Sequence, residues 1–181
     1  MRQGPNTAIV QRPIGRLLVV LVGAGLALAC QRDAEKESDS SLYDVPLRSP
    51  SELAAHLAFA CNVSVLTGRP VLADVGAAWC QDCRRLAKMK NESDLARQLA
   101  HYQVVRINIG EDRHEALRER FRIQSIARWL VFQPTDCSLG VLQWTPIGSL
   151  VVEPTRKAGG ATSDQLAAWL RGLRLSSSDE N

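Results

Sequence analysis

Pro70-Val71-Leu72-Ala73-Asp74-Val75, then Trp79-Cys80-Gln81-Asp82-Cys83, then Arg84-Arg85-Leu86-Ala87-Lys88-Met89-Lys90: an apolar, strand-like run leads through two closely spaced cysteines into a basic, helix-forming run. Two thiols separated by two residues, where a strand hands over to a helix, have the geometry of a dithiol that opens and closes a disulfide. The first cysteine then falls at the helix N-terminus, where unpaired N–H groups and the helix dipole favour a thiolate over a thiol. The thiolate is the attacking species in thiol–disulfide exchange, so this position bears directly on reactivity.

Two other readings of the pair are weaker. A zinc site needs two further ligands, usually a second close pair. Cys30, Cys61 and Cys137 are scattered, and His56, His101 and His114 show no ligand spacing, so no metal is expected. A purely structural disulfide across so short a loop constrains little chain entropy. Redox chemistry remains, with the Cys80–Cys83 pair itself as the redox centre and no separate cofactor.

From Ser51 to Leu173, about two thirds of the 181 residues, the chain resembles a thioredoxin-fold domain, in particular periplasmic ones such as the C-terminal domain of the membrane disulfide reductase DsbD. The resemblance is carried by Gly68-Arg69-Pro70-Val71-Leu72-Ala73-Asp74 leading into Trp79-Cys80-Gln81-Asp82-Cys83. It continues in Val104-Val105-Arg106-Ile107-Asn108-Ile109 and Phe121-Arg122-Ile123-Gln124-Ser125-Ile126. It implies an α/β protein with a central mixed sheet, helices on both faces and the dithiol at the C-terminal end of a central strand. Cys80 becomes the nucleophile and Cys83 the resolving thiol. Asp74, six residues before Cys80, becomes the buried proton acceptor for the inner thiol. Arg106 stands where such strands often carry a lysine near that aspartate; it pairs with Asp74 or faces solvent. Trp79 shields the dithiol with its ring, packs into the core, or does both.

One position departs from the pattern. Thioredoxins place a cis-proline opposite the dithiol, before the third strand, and the matching run here is Ile126-Ala127-Arg128-Trp129. A non-proline cis peptide costs about 3 kcal/mol, so Ala127 is expected trans, with a reshaped loop for partner binding. Thr145-Pro146 is an alternative match, but it leaves Trp129–Phe132 without a place, and Ala127 is preferred.

The ends of the chain read differently from its middle. Arg2, Arg12 and Arg16 precede the apolar run Leu17–Ala29, which is shorter than the roughly 20 residues of a spanning helix, so residues 1–29 read as an export signal. The sequence Ala27-Leu28-Ala29-Cys30 resembles a bacterial lipobox, although that motif usually carries leucine where Ala27 stands. Cleavage there makes Cys30 a lipid attachment and the protein a lipoprotein, tethered to a membrane on the periplasmic side of the bacterial cell envelope. Removing residues 1–29 takes away three arginines and no acid, leaving 19 basic against 19 acidic residues. That balance gives no reason to expect a nucleic-acid partner. Residues 30–50, charged and serine-rich, read as a disordered tether, and residues 176–181 as a frayed tail around one domain, 51–175.

Within that domain Ser51 opens a helix, with Ser49 or Ser51 as N-cap. Val71–Val75 and Val104–Ile109 read as strands, and a helix follows Cys80 to about Lys90. Ser93 is expected to cap a short helix through Leu95 and Leu99, and Glu115–Phe121 is helical. Trp129–Phe132 and Ser149–Val152 are the last strands, and Thr162 with Gln165 forms a capping box for an amphipathic helix reaching Leu173.

Asp82, between the cysteines, places a negative charge beside the thiolate and argues for a reductant or exchange protein over a strong oxidant. Cys61 and Cys137 are left over, and in an oxidising compartment such a pair most often forms a structural disulfide; a second exchange pair that relays electrons is the alternative. The expected function is a thiol–disulfide oxidoreductase acting on protein disulfides, recharged by a separate redox partner. The rival is a non-catalytic thioredoxin-fold binding or assembly module whose cysteines are idle or hold a metal.

Overall fold

The computed structural model describes residues 45–110, 113–153 and 160–178. Helix α1 spans Pro50–Thr67, strand β1 Val71–Gly76, α2 Gln81–Met89, α3 Ser93–Leu99, β2 Gln103–Asn108, α4 Glu115–Arg120, β3 Arg128–Phe132, β4 Pro146–Val151 and α5 Ser163–Ser178. The export signal, Cys30, most of the tether and the last three residues of the tail lie outside the described residues. Among those described, no helix is long and apolar enough to cross a membrane.

The four strands lie in the order β2-β1-β3-β4. β1 runs parallel to β2, with Asp74 opposite Arg106, and antiparallel to β3, with Asp74 opposite Trp129. All six residues of β1 are buried, as its apolar composition requires of a strand covered on both faces. Alternation divides its side chains. Leu72 packs with Leu86, Leu95, Trp129, Val131, Leu166 and Leu170 on the face covered by α2, α3 and α5. Val71, Ala73 and Val75 pack with Leu53, Leu57, Ile107, Leu117, Leu130 and Phe132 on the face covered by α1 and α4.

The helix ends explain where the elements start. Ser49 caps α1: its Oγ accepts from the Glu52 N–H at 3.3 Å, and the Glu52 carboxylate accepts from the Ser49 N–H at 2.7 Å. Gly68 ends that helix at φ 70°, a left-handed conformation that glycine adopts without steric cost. At α5 the Thr162 N–H donates to Gln165 Oε1 at 3.0 Å and Thr162 Oγ1 accepts from the Gln165 N–H at 3.3 Å.

Three local expectations need correction. Glu92, not Ser93, occupies the N-cap position of α3, because Ser93 already has helical backbone. The segment from Val45 to Ser49 is ordered against the domain rather than part of a loose tether. Val45 is buried in the dithiol-side core and its carbonyl accepts from Asn108 Nδ2 at 2.9 Å, so one apolar side chain and one buried amide dock the segment. Helix α5 continues through Ser178, into the stretch read as a frayed tail.

Candidate active site

β1 ends at Gly76, and the chain turns through Ala77-Ala78-Trp79 into α2. Cys80 is the N-cap of that helix, with extended backbone at φ −76° and ψ 117°. Its N–H donates to the Ala77 carbonyl at 3.1 Å and its own carbonyl accepts from Arg84 at 3.2 Å. Its Sγ accepts from the Cys83 N–H at 3.2 Å, the bond that a capping side chain makes. The same donor and the positive end of the helix would stabilise a thiolate at Cys80. Cys83 lies one turn along, its Cα 5.2 Å from that of Cys80, and the two are joined as a disulfide.

Cys83 is wholly buried and Cys80 is 5% exposed, so a partner can reach the pair only through Cys80. Trp79 is 70% exposed, which removes its expected role in core packing. A side chain at the tip of the β1–α2 turn projects away from both cores. Its ring instead borders a cleft of about 290 Å³, completed by Ile109, Arg118, Ile123, Gln124, Ser125 and Ile126. The guanidinium of Arg84 donates to the Ala78 carbonyl at 2.9 Å and holds the turn that presents the tryptophan.

Beyond the cleft the chain enters β3 through Ala127. The Ile126–Ala127 peptide is cis, which overturns the expectation of a trans bond. The trans preference is that of an isolated peptide; in the fold Ala127 is buried and its carbonyl accepts from the Val152 N–H at 2.8 Å. Pro146 instead opens β4, so Thr145-Pro146 is not the segment that precedes β3.

Asp74 is wholly buried on the dithiol side of β1. Its Oδ2 accepts from the ammonium of Lys90, and its Oδ1 from the indole Nε1 of Trp129 at 2.9 Å. Arg106, its neighbour across the strand pair, is exposed. Lys90 was missed from the sequence, although a signal was present. Cys83, Leu86 and Lys90 recur at i, i+3 and i+7, which places them on the buried face of α2 and its C-cap. The cleft residues Arg118 and Ile123–Ile126 were also missed, because they surround Trp79 only after α4 and the following loop fold against β1.

Cys61 and Cys137 are joined by a second disulfide, with Cα atoms 5.7 Å apart. It ties α1 to the loop after β3. Cys61 belongs to the core on the α1 face, and Cys80 with Cys83 to the core on the α2 face, so the sheet separates the two pairs. Among the described residues no group of three or more His, Cys, Asp or Glu is placed to hold a metal.

No family model and no curated protein matches the chain. Among solved structures it is similar to a disulphide isomerase from Xylella fastidiosa Temecula1, at 17% identity over 73% of this chain and 98% of that one, with a TM-score of 0.54. It also aligns with the germline-specific thioredoxin Deadhead from Drosophila melanogaster, at 18% identity over 71% of this chain and 98% of that one, with a TM-score of 0.47. The first likeness, together with the sheet order and the helices on both faces, gives this chain the thioredoxin fold.

Proposed function

We propose that this chain is a thiol–disulfide oxidoreductase that reduces or exchanges disulfides in other proteins through Cys80 and Cys83. The observation that carries the reading is the position of Cys80. It caps α2, accepts from the Cys83 N–H, and is the less buried of two sulfurs already close enough to join. The likeness in fold to the disulphide isomerase from Xylella fastidiosa is in keeping with it.

In the reduced form, the Cys80 thiolate attacks one sulfur of a partner disulfide. The partner's other sulfur leaves as a thiolate and takes up a proton. Cys83 then loses its proton and attacks Cys80 Sγ, expelling the partner's second thiolate. The partner gains two electrons and the Cys80–Cys83 disulfide is restored, to be reduced again by a separate dithiol protein. Asp74 is the candidate acceptor for the Cys83 proton, held in place by Lys90 and Trp129. Asp82, in the first turn of α2, opposes a long-lived thiolate and favours the reducing direction.

We place this chemistry in a periplasmic protein of the DsbD C-terminal-domain type, exported by residues 1–29 and tethered to a membrane by a lipid on Cys30, a proposal drawn from the sequence alone. Insulin reduction under a dithiol donor tests the chemistry. The wild type should turn over, Cys80→Ala should be inactive, and Cys83→Ala should accumulate a mixed disulfide that a reductant releases. A wild type no faster than the donor alone would leave the non-catalytic binding module as the better reading.

A further inference from the structure

We propose that the cleft between the start of α1, the end of α2 and the outer side of β2 is a binding site for a small organic anion, one with a phosphate head and an apolar body. The cleft has a volume of about 490 Å³. Three cationic side chains line it from three different elements: Arg48 before α1, Lys90 after α2 and Arg106 on β2. No acidic residue lines it.

The acids nearby are committed elsewhere. Asp74 lies behind Lys90 and neutralises it, so the field in the cleft comes mainly from the two arginines. On α3, Asp94 pairs with Arg97 and Arg171, and Glu92 accepts from Ser163, both directed at α5. On α1, Glu52 is bonded to the N–H and hydroxyl of Ser49; its charge also reaches Arg48, so Arg106 carries the larger unopposed part of the field. Among the described residues neither Arg48 nor Arg106 has a salt-bridge partner.

Arg48 is also positioned rather than loose. One of its guanidinium nitrogens donates to the Arg106 carbonyl at 3.2 Å, which brings the two arginines to the same stretch of β2. Planar guanidinium groups recognise oxyanions through paired donors, so two of them at one mouth suit a phosphate. The rest of the lining is of a different kind. Ala96, Leu99 and Val104 form an apolar wall, with His56 and Asn91 as neutral polar groups at its margin. A phosphate head on the arginines leaves several carbons of its substituent against that wall. An inorganic ion would use only half of the site.

The test is a titration of the isotopically labelled oxidised protein, followed by amide chemical shifts at constant ionic strength, with hexyl phosphate, inorganic phosphate and hexanol as separate probes. Hexyl phosphate should shift the amides of Asn91, Leu99, Val104 and Arg106 saturably, about tenfold more tightly than inorganic phosphate, as burial of one or two methylenes predicts. Hexanol should not saturate. The double variant Arg48→Gln, Arg106→Gln should weaken hexyl phosphate by about tenfold or more; both side chains are outside the cores and Lys90 is left in place. Equal binding by wild type and double variant would overturn the site. So would equal affinity for the two phosphates, or shifts confined to other parts of the chain.

Discussion

The ammonium of Lys90 is paired with the carboxylate of Asp74, both buried beneath the dithiol helix. Lys90 caps the C-terminal end of the helix whose N-terminal cap is Cys80, so this ion pair fastens that helix to the central strand. Trp129 adds a second donor from β3 at 2.9 Å, so that the end of α2 and the strands β1 and β3 meet at one carboxylate.

Removing one member of such a pair leaves a buried charge without compensation. Lys90→Met should therefore destabilise the protein by about 3–5 kcal/mol, measured by urea unfolding of the oxidised form. The double variant Asp74→Asn, Lys90→Met should recover most of that loss, since neither remaining group is charged. A single variant within a few tenths of a kcal/mol of wild type would mean that the pair does not anchor α2.

The Cys61–Cys137 disulfide spans 76 residues of sequence and lies across the sheet from the dithiol. In the chain-entropy account, a loop of that length stabilises by about 4 kcal/mol. Cys61→Ala with Cys137→Ala should lower stability by that order, while insulin reduction per folded molecule stays within about twofold of wild type. Loss of activity in a folded double variant would assign this pair to the redox path.

Ser49 closes the capping box that starts α1. Ser49→Ala removes the acceptor for the Glu52 N–H, and should cost about 1 kcal/mol in denaturant unfolding. Ser51→Ala, at the other serine considered as a cap, should have a smaller effect, because Ser51 already lies inside the helix.

The folded state holds His56 and His114 below the ordinary histidine value of 6.5, in both cases chiefly through burial and then through the charge of Arg48 or Arg113. A lowered folded value means that the unfolded chain binds more protons in the window below 6.5. Stability from these two groups is thus intact above that value and is lost as pH falls through the folded values. Thermal unfolding between about pH 7 and about pH 5 should show a falling midpoint, and His56→Gln with His114→Gln should flatten that fall. A midpoint that rises on acidification would contradict the burial of these rings.

Asp82 stands beside Cys80 in the first turn of α2. Replacing its charge, in Asp82→Asn, should make the reduced protein alkylate faster with iodoacetamide at neutral pH, by a few-fold, because a like charge no longer opposes the thiolate. An unchanged rate would show that the helix end and the Cys83 N–H dominate at Cys80.

The alternation of strands and helices, the burial of β1 on both faces and the capping boxes were legible in sequence because each depends on neighbours within a few residues. The position of Cys80 at a helix start was legible for the same reason, as was the inward spacing of Cys83. Lys90 shares that spacing, yet charge alone argues for solvent, and only a carboxylate waiting on β1 makes its burial favourable. Arg106 has the right register opposite Asp74, but β2 is the edge of the sheet, where a long cationic side chain reaches water. Ala127 and Trp79 show the same limit: their conformation and exposure are set by contacts among segments distant in sequence. Local chemistry, then, determined the elements, their order and the dithiol; the pairing of buried charges, the shape of the clefts and the separation of the two disulfides were decided only when the sheet brought remote residues into one low-dielectric interior.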